Sequence, residues 1–489
     1  MSKENNSTES SPGNTNEYRE RRIANMQALE KAGYAPFGTA FSRSDNIKGI
    51  REKYEEGLKV RAAGRIMTSR DMGKTIFADL RDGTGRIQLF VNKKQLGDDV
   101  FAAYKLLDLG DHIGVEGEMF ITRTGEMSIR VDEWTLLSKA LLQPPEKYHG
   151  LQDTEDRYRQ RYFDLISNEE SRDRFNKRIA IMREIRSYLE SKGYVEVETP
   201  MLQPQPGGAA ARPFMTHYNA LNCTMYMRIA PELYLKRLLV GGFDKVFEMN
   251  RNFRNEGLDR THNPEFTVLE LYEAYGDRIS MKNILEGMIA HVCDSVLGTK
   301  IVTYEGNEID FTPPYKEVSY YDLLRGRMGD NWFDLSVDEA RAAAEKAGVE
   351  CDPEWDHLLI TREIYDKLIE RTLIQPTFVI RIPRQFIPLA KTCVDDPELA
   401  DVFEFVVGGK ELCPAYTEQN DPIAQRDAFA NQAGDEIEKI DEDFITALEC
   451  GMPPAGGMGL GIDRFVMMLT GADAIRDVIL FPQLKPRNQ

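Results

Sequence analysis

Between Leu58 and about Leu137 apolar and polar residues alternate with a period of two, the pattern of half-buried β-strands. In KTIFADLR, Ile76, Ala78 and Leu80 fall on one face and Phe77, Asp79 and Arg81 on the other. In RIQLFV, Ile87, Leu89 and Val91 oppose Arg86, Gln88 and Phe90; earlier, Arg61 and Arg65 alternate with Ala62, Gly64 and Ile66. Turn signals (DMGK, RDGTG, TRTGE) separate these runs, so they predict a small β-barrel. Its outer face carries aromatic, amide and guanidinium groups. That set suits single-stranded nucleic acid, because rings stack on bases, arginine meets phosphate and an amide reads a base edge. It suits an ordinary barrel with one exposed phenylalanine equally well.

Elsewhere the period is helical. Ile23, Met26, Leu29 and Ala32 recur at three-residue steps and predict an amphipathic helix ended by Gly33. Phe175, Ile179, Met182, Ile185 and Leu189 form one stripe of a second helix, ended by Gly193. A strand, YVEVETP, closes on Pro200, and a Gly/Ala/Pro loop, LQPQPGGAAARPF, follows. PELYLKRLLVGG reads as a short helix with Pro231 in its first turn. DKVFEMNRNFRNE, FTVLELYEAY, PTFVIRIP, DVFEFVVGG and ELCPAYTE read as strands, and MGLGIDRFVMMLTGA as a glycine-rich helix start. These signals divide the chain into an N-terminal tail (1–18), a helix and barrel (19–140), a linker (141–160) with Pro144-Pro145, and a larger domain (161–489). About 276–375 reads as a helical insertion in that domain.

Composition narrows the class. The chain has 489 residues and a formal net charge of −18, with 42% hydrophobic and 29% charged residues. That is a soluble globular composition with length for two or three domains. No apolar run reaches membrane-spanning length, and MSKENNSTESSPGNTN is not a signal peptide but a disordered tail. The six cysteines form no CxxC pair, which fits reduced thiols of a cytoplasmic protein. The acidic balance argues weakly against a nucleic-acid coat protein, since a local basic face can still dominate contact.

Chemistry concentrates in FRNEGLDRTHNPEF, which packs charges of both signs into one turn between two strands. In FTVLELYEAY, Phe266, Val268, Glu270 and Tyr272 share a face, opposite Thr267, Leu269 and Leu271. If the two strands pair as a hairpin, Arg254 and Glu270 face one cleft. Glu404 and Glu411 flank the Gly408-Gly409 turn, and Pro414, Tyr416 and Glu418 share parity. Two close carboxylates call for a cation, for which Mg²⁺ with phosphate oxygens is the natural candidate; the other reading is a solvated hairpin end. Arg464 lies in GMGLGIDR, which has neither the Walker A pattern nor the strand-first context of a dinucleotide-binding turn. His217 and His291 read as structural histidines.

These segments resemble the motifs of class II (subclass IIb) aminoacyl-tRNA synthetases, and within them the lysyl-tRNA synthetase family. GYVEVETPML resembles the first motif, FRNEGLDRTHNPEFTVLELYEAY the second, and GLGIDRFVMMLTGADAIRDVILFP the third; APELYLKRLLVGGFDKVFEMNRNFRNEG is close to the lysyl family in wording. The resemblance covers residues 20 to 487. It implies an α+β chain: an N-terminal OB-fold barrel, then a domain built on an antiparallel sheet flanked by helices. It implies ATP and L-lysine as substrates, Mg²⁺ as cofactor, tRNA(Lys) and a second copy of the chain as partners, and no membrane.

The resemblance also implies roles. Arg254 and Arg464 carry catalysis. Arg254, Glu256, Arg260, His262, Asn263, Phe266, Glu411 and Arg464 bind ATP, and Glu404 and Glu411 hold metal. Gly208, Glu232, Arg254, Glu270, Tyr272, Tyr416 and Glu418 bind the amino acid. Arg65, Phe77 and Gln88 contact the anticodon, and Pro200 lies at a dimer interface. Three acids in a small pocket favour a doubly cationic amino acid; an aspartate-activating relative presents a cation instead, and asparagine is less well excluded. One position departs from the family, where Pro414 replaces the usual Asn. Proline lacks both the N–H and the amide, which implies lower affinity, shifted specificity or compensation nearby. The alternatives are a relative that lysylates protein, against which the barrel argues, and a silent relative that only binds RNA.

Overall fold

The computed structural model describes residues 16–144, 151, 153–433 and 441–487. Most of the tail expected at 1–18 and part of the linker expected at 141–160 lie outside the described residues. The chain divides into two compact units, Met1–Glu169 and Glu170–Gln489. Among the described residues no helix is long and apolar enough to cross a membrane.

In the first unit, strands β1 (Lys59–Asp71), β2 (Thr75–Arg81), β3 (Arg86–Asn92), β4 (His112–Ile121) and β5 (Met127–Ser138) close a barrel in the order β1-β2-β3-β5-β4. Only the β3/β5 seam is parallel. The alternation read from the sequence is realised: Ile76, Ala78, Leu80, Ile87, Leu89 and Val91 are at most 2% exposed and form the barrel core. The strands bend where a bulge falls between Glu116 and Gly117. A Cβ at Gly117 would lie 2.0 Å from the Arg130 carbonyl oxygen, so only glycine fits. The helix Asn16–Lys31 precedes the barrel, buries Leu29 in its core and stops before Gly33, which has φ 91°.

The second unit holds β6 (Val195–Glu196), β7 (Leu202–Gln203), β8 (Met215–Tyr218), β9 (Cys223–Met227), β10 (Lys245–Phe253), β11 (Glu265–Ala274), β12 (Ile301–Tyr304) and β13 (Asn307–Asp310). It continues with β14 (Lys316–Ser319), β15 (Thr377–Pro383), β16 (Leu399–Val407), β17 (Lys410–Thr417) and β18 (Ala455–Gly461). Eight of these form one sheet in the order β14-β15-β16-β17-β18-β11-β10-β6. Its interior is antiparallel, and the two outermost strands pair in parallel. One face packs Leu269, Leu271, Phe403, Phe405, Met458 and Leu460 against the helices Glu169–Ser191, Arg278–Val292 and Ile462–Thr470. The other face carries the cleft described below.

Three expectations change. The segment 276–375 is not wholly helical: it contains the β12–β13 hairpin and β14, which extends the main sheet. Ile179 is 60% exposed, and the buried side of its helix runs through Arg178 and Ile181 instead. Arg178 is drawn inward by Asp463, at 2.6 Å. The glycine-rich run before Arg464 is itself a strand, β18, at the centre of the sheet, so its context is strand-first.

Candidate active site

The cleft, about 380 Å³, lies over β11, β17 and β18, within the range of small-molecule sites. Strand register decides which side chains enter it. β10 and β11 pair with Asn252 opposite Phe266 and Glu248 opposite Glu270, so Phe266, Glu270 and Tyr272 share the cleft face. In β17, Val406 pairs with Glu411 but Phe405 pairs with Cys413, leaving Leu412 as the extra residue of a bulge. The bulge moves Pro414 and Tyr416 onto the face of Glu404 and leaves Cys413 in the core. In β18, Gly457, Gly459 and Gly461 pair with Tyr272, Glu270 and Val268, while Met458 and Leu460 point into the core. A Cβ at Gly457 would meet Glu418 Oε1 at 2.2 Å and the Tyr272 ring at 2.4 Å, so the glycine makes the room those groups occupy.

One end of the cleft is cationic. Arg254 follows β10, held by its backbone N–H on the Pro264 carbonyl at 2.8 Å. Its guanidinium sits 5.1 Å from the Phe266 ring centre, and its buried Nε has no hydrogen-bond partner. Burial lowers its hold on the proton, and Glu270 and Glu256 pull back the other way. Arg464 donates to the Glu411 carbonyl at 3.2 Å and to His262 Nε2 at 2.8 Å. That bond leaves the His262 proton on Nδ1, which donates to Asp259 at 2.7 Å. Burial resists the Asp259 charge, but N–H groups of Thr261 and His262 outweigh it and hold the carboxyl at about 2. Arg260 is turned to the Asp473 carbonyl, at 3.0 Å. Glu256 accepts from the Arg212 N–H, and Asn263 donates to the Glu265 carbonyl with its buried Oδ1 unpartnered.

The other end is acidic, and it contains a residue to which the sequence reading gave no role. Lys236, with a fully buried side chain, lies 2.7 Å from Glu232 and 2.5 Å from Glu418. Burial opposes its charge, and the two carboxylates more than restore it. Glu232 and Lys236 are four residues apart in the helix Glu232–Val240, a spacing that reads as a surface pair; this hid its burial. The expected three-acid pocket therefore already holds one cation. Glu270 is raised to about 8, first by burial and then by Glu232. The Tyr272 hydroxyl donates to Glu270 at 3.1 Å. Glu418 is 1% exposed, and its Oε1 has no hydrogen-bond partner in the protein. Gly208, at φ 83°, lies beside Glu232. Pro414 lines the cleft opposite Glu404.

Glu404 and Glu411 are both raised, by burial first; Glu411 then acts on Glu404, and Glu370 acts on both. Glu370 accepts the Glu411 backbone N–H at 2.7 Å. Neither Glu370 nor Asp366, which adds to the same field, was read from the sequence. No cluster of three metal-ligating side chains occurs among the described residues.

In the barrel, Phe77 faces outward in an edge-to-face row with Phe90 and Phe120, at 5.3 and 5.6 Å, and Arg130 lies over Phe120. Ser128 donates to Gln88 Oε1 at 3.0 Å. Arg65 donates to the Gly110 carbonyl and is half-buried. Pro200 is exposed, beyond the short strand β6.

A strand–loop–strand arginine, a second arginine following a central glycine strand, and an acidic pocket on an antiparallel sheet define a class of enzyme. Residues 153–485 match the family "tRNA synthetases class II (D, K and N)", and residues 60–137 match "OB-fold nucleic acid binding domain". The chain belongs to that class II tRNA synthetase family. It is 48% identical to the Lysine--tRNA ligase of Pelotomaculum thermopropionicum over 483 residues, 96% of each chain. It is 48% identical to that of Syntrophomonas wolfei over 484 residues, 97% of this chain and 98% of the other. The Enterococcus faecalis Lysine--tRNA ligase is likewise 48% identical, over 95% of this chain and 96% of its own.

Proposed function

We propose that the protein is a lysine--tRNA ligase, which joins L-lysine to ATP as lysyl-adenylate and passes the lysyl group to the 3′ end of tRNA(Lys). The observation that carries the choice of lysine is Glu418 Oε1, a buried acceptor without a partner, in an acidic pocket whose other end is Arg254. The lysine carboxylate meets Arg254, its α-ammonium meets Glu232 beside Gly208, and its ε-ammonium meets Glu418 near Tyr272. Glu270 and Tyr416 complete the walls.

The carboxylate oxygen attacks the α-phosphorus of ATP in line, and pyrophosphate leaves. A carboxylate is already a nucleophile, so no side chain has to remove a proton. Charge gathering on the phosphorus is met by Arg254 and Arg464, placed in advance. His262 and Arg260 serve the outer phosphates, and Phe266 stacks on adenine opposite Arg464. Glu404 and Glu411 fit a hard divalent cation, being half-buried acids that act on one another and that a positive charge would relieve. As a two-carboxylate site they suit Mg²⁺ completed by phosphate oxygens, which would neutralise phosphate charge when bound.

The outer face of the barrel, through Phe77, Gln88 and Arg65, supports anticodon binding. We further place the protein in the cytoplasm as a homodimer with Pro200 at its interface.

ATP–pyrophosphate exchange with each standard amino acid, for the unaltered protein and for Pro414→Asn, tests this reading. Exchange with lysine alone, in both, supports it. A second reading rests on Pro414, which offers no N–H in the middle of β17. Exchange with another amino acid, or none until Asn is restored, would make the chain a repurposed relative.

A further inference from the structure

We infer that Lys236 is a positioning residue for the amino-acid substrate: a resident ammonium that shares Glu232 and Glu418 with the two ammonium groups of the incoming lysine and fixes the spacing between those carboxylates. This deepens the proposed function and rests on it.

The geometry gives each acid one oxygen for the protein and one for the ligand. Glu232 Oε1 and Glu418 Oε2 hold Lys236 Nζ at 2.7 and 2.5 Å. Glu232 Oε2 is the oxygen nearest Gly208. Glu418 Oε1 reaches over Gly457 and has no partner within the protein. One fixed ammonium thus ties the group that meets the α-nitrogen to the group that meets the ε-nitrogen. It approaches the Tyr272 ring at 5.9 Å and the Leu389 carbonyl at 3.5 Å, which restrain its position from two further elements.

With Glu270 ionised as well, the charges close with a diamino acid. Glu232, Glu270 and Glu418 supply three negative charges when ionised. Lys236 supplies one positive charge and lysine the other two, while the lysine carboxylate pairs with Arg254. Arg228 pairs with Glu248, at 2.6 Å, and also favours the charged form of Glu270. An amino acid with a single ammonium leaves one of the three carboxyls holding its proton, as Glu270 does in the free protein. Lys236 therefore acts through Glu418 and Glu232, on the affinity for both ammonium groups.

The test is pyrophosphate exchange with Lys236→Met and Lys236→Gln. Without the resident cation, Glu418 holds its proton more tightly. The lysine KM at about pH 7 should rise by about tenfold or more while the ATP KM stays within about twofold. The increase should shrink as pH rises to about 8.5, because Glu418 gives up its proton while the substrate ammoniums keep theirs. Lys236→Gln retains N–H donors, so it reads the charge even if Lys236→Met does not fold. An unchanged lysine KM, an equal rise for lysine and ATP, an effect indifferent to pH, or loss of the melting transition in both variants would overturn the inference. If the unaltered protein itself shows no lysine-dependent exchange, the fault lies with the proposed function.

Discussion

Among the described residues two lysines are buried between pairs of acids, one in each unit, and they differ in how fully those acids are engaged. In the barrel unit, Lys139 lies 2.6 Å from Asp108 and 2.7 Å from Asp111. Asp111 also accepts the backbone N–H groups of Asp108 and Ala140, each at 2.8 Å, so both of its oxygens are engaged. In the synthetase unit, Lys236 bridges Glu232 and Glu418, and Glu418 Oε1 stays bare. A closed network of buried charge specifies a fold. An open one stores a desolvated charge that a ligand can complete. Burial alone does not separate the two; the count of satisfied oxygens does.

The largest expected effect separates these roles. Lys139→Met leaves the Asp111 charge buried without its ammonium, on two backbone N–H groups alone, which should cost the barrel unit about 3–5 kcal/mol, read by denaturant unfolding. The lysine KM in pyrophosphate exchange should not move. Next, Glu418→Gln removes the negative charge behind the open acceptor and should cost about 2–5 kcal/mol in kcat/KM for lysine, with little change in the ATP KM. A Glu418→Gln protein with ordinary lysine kinetics would erase the distinction between the two networks.

Smaller effects sharpen it. Phe77→Ala, on the outer face of the barrel, should leave exchange unchanged and weaken transfer to tRNA by about 1–3 kcal/mol, read by aminoacylation at limiting tRNA. The smallest is a pH effect. Glu270 holds its proton up to about 8 in the folded protein against an ordinary 4.5. Between those values the folded state binds more protons than the unfolded chain, so the free protein loses stability as pH rises. Lysine brings two ammonium groups into the pocket that Glu270 walls and so favours its charged form; thermal stabilisation by lysine should be larger at about pH 8 than at about pH 6.

What the sequence discloses follows the same line. The barrel was legible because Ile76, Ala78 and Leu80 alternate with Phe77, Asp79 and Arg81, and alternation maps directly onto inside and outside. β10, β11 and their shared cleft face were legible for the same reason. Lys236 was not, because four-residue spacing to Glu232 looks identical on a wet helix and in a buried one. The run MGLG, the second half of β18, read as part of a helix start, since glycine has weak strand preference; the glycines of β18 matter for what they make room for. The bulge at Leu412 leaves no signature in composition, yet it decides that Pro414 and Tyr416, and not Cys413, face the cleft. β14 was hidden in a helical segment because four residues are too few to show a period.

The most direct measurement is equilibrium binding of L-lysine and of norleucine, which keeps the carbon chain and lacks the ε-nitrogen, to the unaltered protein and to Glu418→Gln. The account predicts that norleucine binds more weakly than lysine by about 10³-fold or more, and that Glu418→Gln removes most of that preference by weakening lysine alone. Comparable binding of the two to the unaltered protein, or a preference that survives Glu418→Gln intact, would contradict it.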